Sequence, residues 1–317
     1  MRAVSEQRAI VEYARVHRLV KQDELMPADT DFSTNVLDRL RRAEGRSALW
    51  RNRTWRLGDV ALVSSNDYQD AARLSGNRAI TGRHGWAEEI ESKERAPRYD
   101  ENRHSWQVEP LVRLDGAVGL FVLDLESRIM GITNYSGRDL SLPGFCKTMT
   151  DLLNDVERDR RRESEIYASV EWLVEQVEEQ GTFAQWLTTV DRVTKITASF
   201  HLPNPTPRHI LQPAFDLLDG LNATKSTLSA ESSKAGGLDP NGHPLMQGAL
   251  AMQEDDYGDV RAVGTVPAGD ESKYNSRDHH ARERVEQPEL SLSGLIAMLL
   301  RVLASHLERR ARERGDQ

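Results

Sequence analysis

Three groups of residues in this chain have types and spacings that could do chemistry. The first is acidic: Glu254, Asp255, Asp256 and Asp259 precede Glu271-Ser272-Lys273. Metal-dependent nucleases place an aspartate on one strand and Glu-x-Lys on the next, so that the carboxylates hold Mg²⁺ while the lysine orients the attacking water. The same residues also read as a solvated loop beside an acidic surface, and the triplet recurs at Glu91-Ser92-Lys93.

The second group is basic and aromatic. Residues 41–58 hold six arginines, at 41, 42, 46, 51, 53 and 56, against Glu44, with Trp50 and Trp55 interleaved. On a strand over 49–57, Trp55 shares a face with Arg51 and Arg53, and Trp50 shares the other with Arg56. Such a surface can grip phosphate with guanidinium and base with indole; alternatively the tryptophans are core and the arginines a solvated face. The third group is Lys195, Arg208, His209, Lys225 and Lys234, which flank Pro203-Asn204-Pro205-Thr206-Pro207-Arg208-His209 and the Ser/Thr-rich stretch 223–237. A proline-stiffened turn entering a helix presents backbone N–H groups to an anion. Thr224, Ser226, Thr227 and Ser229 add hydroxyls that contact phosphate oxygens without reading bases. The basic runs 158–162 and 309–314 read as helix ends, the latter where the macrodipole favours cations.

Other chemistries lack their residues. There is no G-x-G-x-x-G, no Walker-type Gly-Lys-Ser/Thr and no H-E-x-x-H. The nine histidines are scattered and read as surface or capping groups. The single cysteine, Cys146, excludes internal disulfides and reads as a buried small apolar group. The Ser-rich 226–233 stretch has no G-x-S-x-G context. Neither a cofactor nor a metal set is expected.

These groups must be positioned by a globular chain: 38% of residues are hydrophobic and 29% charged, which argues against wholesale disorder. The formal net charge is −8, against the basic field usual in nucleic-acid binders, yet 35 arginines to 7 lysines supply forked donors suited to phosphate. The longest apolar-rich run, 292–303, falls short of the roughly 20 residues of a membrane span. Residues 1–20 carry four arginines and no apolar block. The expectation is a soluble protein of a reducing cytoplasm.

Along the chain, residues 8–20 carry two spacings at once: Ile10, Tyr13, His17 and Val20 fit a helix, while Val11, Tyr13, Arg15, His17 and Leu19 fit one strand face. A helix is predicted over 32–44, then strands over 47–57 and 59–65 around a turn at Leu57-Gly58-Asp59, a short helix over 66–75 and a long polar loop over 76–105. Strands at 106–114, 118–124 and 128–135 have the spacing of an antiparallel meander, and a helix follows over 145–163. Alternating elements then succeed one another: strands at 165–172, 193–202, 224–231 and 258–266, helices at 176–189, 208–221 and 244–252. The apolar stripe Leu292, Leu295, Ile296, Leu299, Val302, Leu303, His306 and Leu307 predicts a last helix.

The strand followed by Ser65-Asn66-Asp67-Tyr68, the meander LFVLD…IMGITNY, and the later order of VTKITASFHLPNPTPRHILQPAFDLL and YGDVRAVGTV resemble the RexA-type phage-exclusion proteins of temperate phages. The resemblance implies a globular domain plus a dimerisation domain. It also implies homodimers that bind double-stranded DNA without strong sequence preference, and that act with an integral-membrane partner of the RexB type. It implies no enzymatic activity, and a DNA-contacting stretch near Arg208 and His209.

The reading is therefore a two-part α+β protein. Residues 1–150 with a C-terminal helix over 287–317 form the globular domain, and 164–286 the dimerisation domain. Its expected function is sequence-nonspecific DNA binding in phage exclusion, through Arg208, His209, Lys225, Lys234, Lys195, Arg51 and Arg53. The alternatives are a metal-dependent nuclease of an anti-phage system and a protein–protein interaction module of a lysogeny operon.

Overall fold

Of the two spacings in residues 8–20, the strand wins. In the computed structural model, which describes residues 8–21, 32–87, 98–107, 116–137, 139–164, 169–201, 216–218, 220–221, 223, 225–240, 242–254, 257–286 and 291–313, this segment is β1 (Arg8–Lys21). There follow α1 (Phe32–Ala43), β2 (Ser47–Trp50), β3 (Arg53–Ser64), 3₁₀ turns at Gln69–Arg73 and Ser75–Asn77, β4 (Arg78–Ala87), β5 (Arg98–Asp100), β6 (Ser105–Gln107), β7 (Gly116–Asp124), β8 (Ile129–Gly137) and α2 (Leu142–Ser164). Next come β9 (Ser169–Gln176), α3 (Thr182–Leu187), β10 (Arg192–His201), β11 (Lys225–Glu231), α4 (Pro244–Glu254), β12 (Gly258–Thr265), β13 (Glu271–Asn275), β14 (Arg282–Glu286) and α5 (Leu292–Glu313). Helices and antiparallel strands are mixed throughout, so the fold is α+β. Among the described residues no helix is long and apolar enough to cross a membrane.

An eight-stranded antiparallel sheet runs β14-β1-β8-β7-β4-β3-β2, with β9 also on β1. Helices cover both of its faces. Trp55, Trp86, Phe121 and Met130 pack with Val36 and Leu40 of α1 and Phe145, Met149 and Leu153 of α2. Val11, Leu120 and Val122 pack against Leu295, Leu299 and Leu303 of α5 on the other. This double cover explains why every residue of β7 is buried. Each large apolar side chain so enclosed contributes about 1.5–3 kcal/mol relative to exposure. Polar ties lock the layers. Arg39 Nε on α1 donates to Glu157 Oε1 on α2 at 2.6 Å, and Trp172 Nε1 on β9 donates to the same oxygen at 3.0 Å. His84 is buried on β4 between Arg56 O and Thr148 Oγ1, at 2.9 and 2.8 Å; burial pulls its pKa down to about 3, so the ring is neutral.

The hairpin expected at Leu57-Gly58-Asp59 forms earlier. Arg51 and Asn52, at φ 49° and 64°, make the two-residue turn between β2 and β3. Gly58 lies inside β3, where a Cβ would stand 2.4 Å from His104 O. Its role is close approach of backbone, not a turn. The loop expected over 76–105 contains β4, paired along its length with β3 and β7.

The second sheet is four-stranded, in the order β11-β10-β12-β13. One face buries Ile196, Ala198, Phe200, Val260 and Ala262 against Phe183 of α3, Leu218 and Leu250 of α4. Its boundaries differ from the expected 164–286. Both β9 and β14 belong to the first sheet: β14 pairs with Arg8–Glu12 and β9 with Ala14–Lys21 of β1. Ala14 and Arg15 pair β9 on one side and β8 on the other, so β9 and β14 lie end to end along one edge of β1. The second sheet grows from the gap between them through a narrow neck, in which Ala281 N donates to Val177 O and Glu179 N to His279 O, both at 2.8 Å.

Candidate functional site

Period-two alternation puts Tyr13, Arg15 and His17 on one face of β1, the face that packs α5 and the second sheet. Each is buried, and each meets polar groups delivered by distant segments.

At His17 the two sheets meet. Glu175 is opposite Arg15 on β9, hence diagonal to His17 on the same face, and His201 ends β10. His17 Nε2 lies 4.0 Å and His201 Nδ1 3.6 Å from Glu175 Oε2. The imidazoles meet edge to face at 4.4 Å between centroids, with the Tyr257 ring beside both. Arg15 stands over Tyr257 at 5.3 Å. Burial, with the charges of Lys225 and Arg15, drives the His201 pKa down to about 3. A neutral imidazole is the form that ligates metal, and the His17, Glu175 and His201 donor atoms lie within 4.8 Å of one another.

At Tyr13 a cavity of about 590 Å³ opens between the neck, β14 and α5. Tyr13 stacks on His306 at 3.8 Å and donates to Glu283 Oε1 at 2.8 Å; Arg309 bonds the same carboxylate oxygen. Desolvation alone would raise the Glu283 pKa, but hydrogen bonds from His306, Arg309 and Tyr13 outweigh it and hold it at about 2. Desolvation and the facing Glu283 push the Tyr13 phenol well above its usual range. The site is thus a fixed anion clasped by an aromatic pair and a guanidinium.

The third feature is the uncovered face of the second sheet. Thr197 and Ser229 hydroxyls pair across β10–β11 at 3.1 Å, and those of Ser199 and Thr227 at 3.0 Å. Arg261 of β12 lies opposite Thr197, and Lys225 opposite His201. Other charges here are paired: Lys195 with Glu231 at 3.4 Å, Arg277 with Asp259 at 2.7 Å and Lys273 with Glu271 at 2.9 Å. Lys225 and Arg261 are exposed, and among the described residues neither forms an ion pair. The face is therefore a ladder of hydroxyls with two exposed cations. Gly258 keeps β12 tight on β10 beside it, since a Cβ would stand 2.1 Å from Ser199 O.

The residues singled out from sequence are dispersed. Lys195 and Lys225 share this face but sit six register positions apart along β10, about 20 Å. Lys234 is exposed in the turn beyond β11, towards the Lys195 end. Arg208 and His209 lie outside the described residues. Arg51 and Arg53 belong to the other sheet, at the β2–β3 turn. Arg51 stacks on Trp50 at 4.5 Å and Arg53 on Trp86 at 3.9 Å, while Trp55 is fully buried. Trp55 is core and Trp50 packs half-buried against it, and the face sharing expected of a continuous 49–57 strand is broken by the turn. Asp259 and Glu271 stand opposite Ser199 and at the far end of β12 opposite Thr265, about 20 Å apart, so this pair cannot share one metal. His17, Glu175, His201 and the Tyr13–His306–Glu283 group were missed. Their one signal was the alternation of Tyr13, Arg15 and His17 with Ala14 and Val16.

A family model described as a domain of unknown function, DUF4747, matches residues 35–303. No curated protein matches the chain.

Proposed function

The chain belongs to the DUF4747 family, and from that premise we propose that it is a sequence-nonspecific DNA-binding protein, not an enzyme, that acts as a homodimer in phage exclusion together with a membrane effector. The sequence resemblance to RexA-type proteins supports the biological setting. The observation that carries DNA binding is the uncovered face of the second sheet. Side-chain hydroxyls at Thr197, Ser199, Thr227 and Ser229, with Lys225 and Arg261, are donors that contact phosphate oxygens and carry no base code. No aromatic residue stands on that face among the described strands to stack a flipped or single-stranded base, which favours duplex backbone. β11 and β13 are the edges of this sheet, and an open edge offers a route to a twofold pair. A dimer brings two such faces into one particle, so the second contact becomes intramolecular.

The test is a mobility shift on random-sequence duplex at low salt, with and without Mg²⁺, beside light scattering of the purified chain. A shift without cleavage, lost in the Lys225→Glu/Arg261→Glu variant, and a mass of twice 35.8 kDa are expected. Absence of any shift, or Mg²⁺-dependent cleavage, overturns the reading.

A further inference from the structure

We propose that His17, Glu175 and His201 bind one divalent transition-metal ion, zinc(II) or iron(II), at the seam between the two sheets. The donors arrive from β1, β9 and β10, and none is a surface group: their side chains are 3%, 22% and 1% exposed. Two separations are known, 4.0 Å for His17 Nε2 to Glu175 Oε2 and 3.6 Å for His201 Nδ1 to the same oxygen. Ligands on a tetrahedral zinc at bond lengths of 2.0–2.1 Å stand about 3.3 Å apart. All three donor atoms lie within 4.8 Å of one another. A contraction of roughly 1 Å or less for the two measured pairs, taken up by side-chain rotation, therefore brings them to that spacing with no change of strand register.

A second observation points the same way. His201 Nδ1, on a side chain 1% exposed, lies 3.6 Å from Glu175 Oε2, beyond hydrogen-bond reach. Buried polar groups in folded chains are nearly always satisfied, and leaving one unpaired is costly. An ion on Nδ1 gives that nitrogen a partner, while Nε2 carries the ring proton.

The donor set selects the ion. Two neutral imidazoles and one carboxylate suit zinc and iron(II), whereas Mg²⁺ and Ca²⁺ require mostly oxygen. With three protein ligands, a tetrahedral ion keeps one position for solvent, which reaches the site beside the partly exposed Glu175. Because His201 belongs to the second sheet and His17 and Glu175 to the first, the ion would pin the hydroxyl-bearing face to the main body. This site is independent of the DNA-binding reading.

The experiment uses the full chain, dialysed against chelator and then titrated separately with Zn²⁺, with Fe²⁺ under anaerobic conditions, and with Co²⁺ as a spectroscopic probe. Expected are one metal per chain by elemental analysis, visible ligand-field bands with Co²⁺, and a melting temperature that rises with metal concentration. Glu175→Gln and His201→Gln, close in size to the originals, should each lower metal retention at least tenfold, and His280→Gln should leave it unchanged. The melting temperature of each metal-free variant controls for folding. Failure of the wild type to retain any of the three ions at micromolar concentration overturns the proposal, as does retention by folded Glu175→Gln and His201→Gln equal to wild type.

Discussion

Removing the Glu157 carboxylate should unlock the junction of α1, α2 and β9. Glu157 is buried and takes Arg39 Nε at 2.6 Å and Trp172 Nε1 at 3.0 Å on one oxygen, and Arg160 at 3.3 Å on the other. Arg39 is 2% exposed, and its Nη2 has no hydrogen-bond partner; its other carboxylate contact is the half-exposed Asp38. Glu157→Ala therefore leaves a buried guanidinium without its main counter-charge, at a cost of about 3–5 kcal/mol. Urea unfolding followed by circular dichroism should show that loss as a lower midpoint at unchanged slope. Replacing both ends, Arg39→Met with Glu157→Leu, removes the stranded charge; it leaves the Trp172 N–H unpaired, at about 1–3 kcal/mol, and takes Glu157 from Arg160, whose side chain is 31% exposed. The double variant should thus be more stable than Glu157→Ala alone. A double variant that loses as much as the sum of its single changes, or a Glu157→Ala loss under about 1 kcal/mol, would refute the argument.

Two further outcomes follow from the other sites. Glu283 is held at about 2 against an ordinary 4.5, so its ionised form stabilises the fold above pH 4.5 and the contribution is lost as pH falls towards 2. The full difference corresponds to about 3 kcal/mol, and solvent screening of a side chain 25% exposed reduces it to about 1–2 kcal/mol. Wild type and Glu283→Gln should differ by that amount at pH 7 and converge near pH 2; a gap that widens on acidification falsifies the assignment. On the open face, each phosphate neutralised contributes about −0.9 to the slope of log affinity against log salt. Removing Lys225 and Arg261 from both protomers of a dimer should flatten that slope by about 3.6, and fluorescence anisotropy on random duplex showing an unchanged slope would exclude this face.

The legible parts of the fold were those whose pattern is local. The stripes of α1 and α5 and the β7–β8 meander follow from helical and strand periods that one covered face imposes. β4 escaped because both of its faces are covered, so its apolar residues do not alternate. Its Gly82 and Gly85, which look like turn residues, are cut away to admit Phe121 and the Ala117 carbonyl. The place of β9 and β14 was hidden for a different reason: their partner, β1, lies more than a hundred residues earlier, and periodicity carries no partner. The candidate sites share that fate. His17, Glu175 and His201 come from three strands, and no spacing rule links them. Of the hydroxyls in the Ser/Thr-rich stretch, Thr227 and Ser229 stand on the open face of β11, Ser226 lies opposite Phe200 on the covered face, and Thr224 lies outside the described residues.

The neck that carries the second sheet has a consequence for how the chain is made. A ribosome releases β1 first, yet one edge of that strand is closed partly by β9 and partly by β14, and its Tyr13 finds Glu283 270 residues later. The second sheet, from α3 to β13, is complete before β14 leaves the exit tunnel. During synthesis the younger unit can close while the older one still waits, with half of an early strand open to solvent. β14 then docks onto β1, made more than two hundred residues earlier. Slow, long-range closure of this kind prolongs exposure of a bare strand edge. A nascent chain stalled before β14 would hold a finished second sheet on an unfinished body.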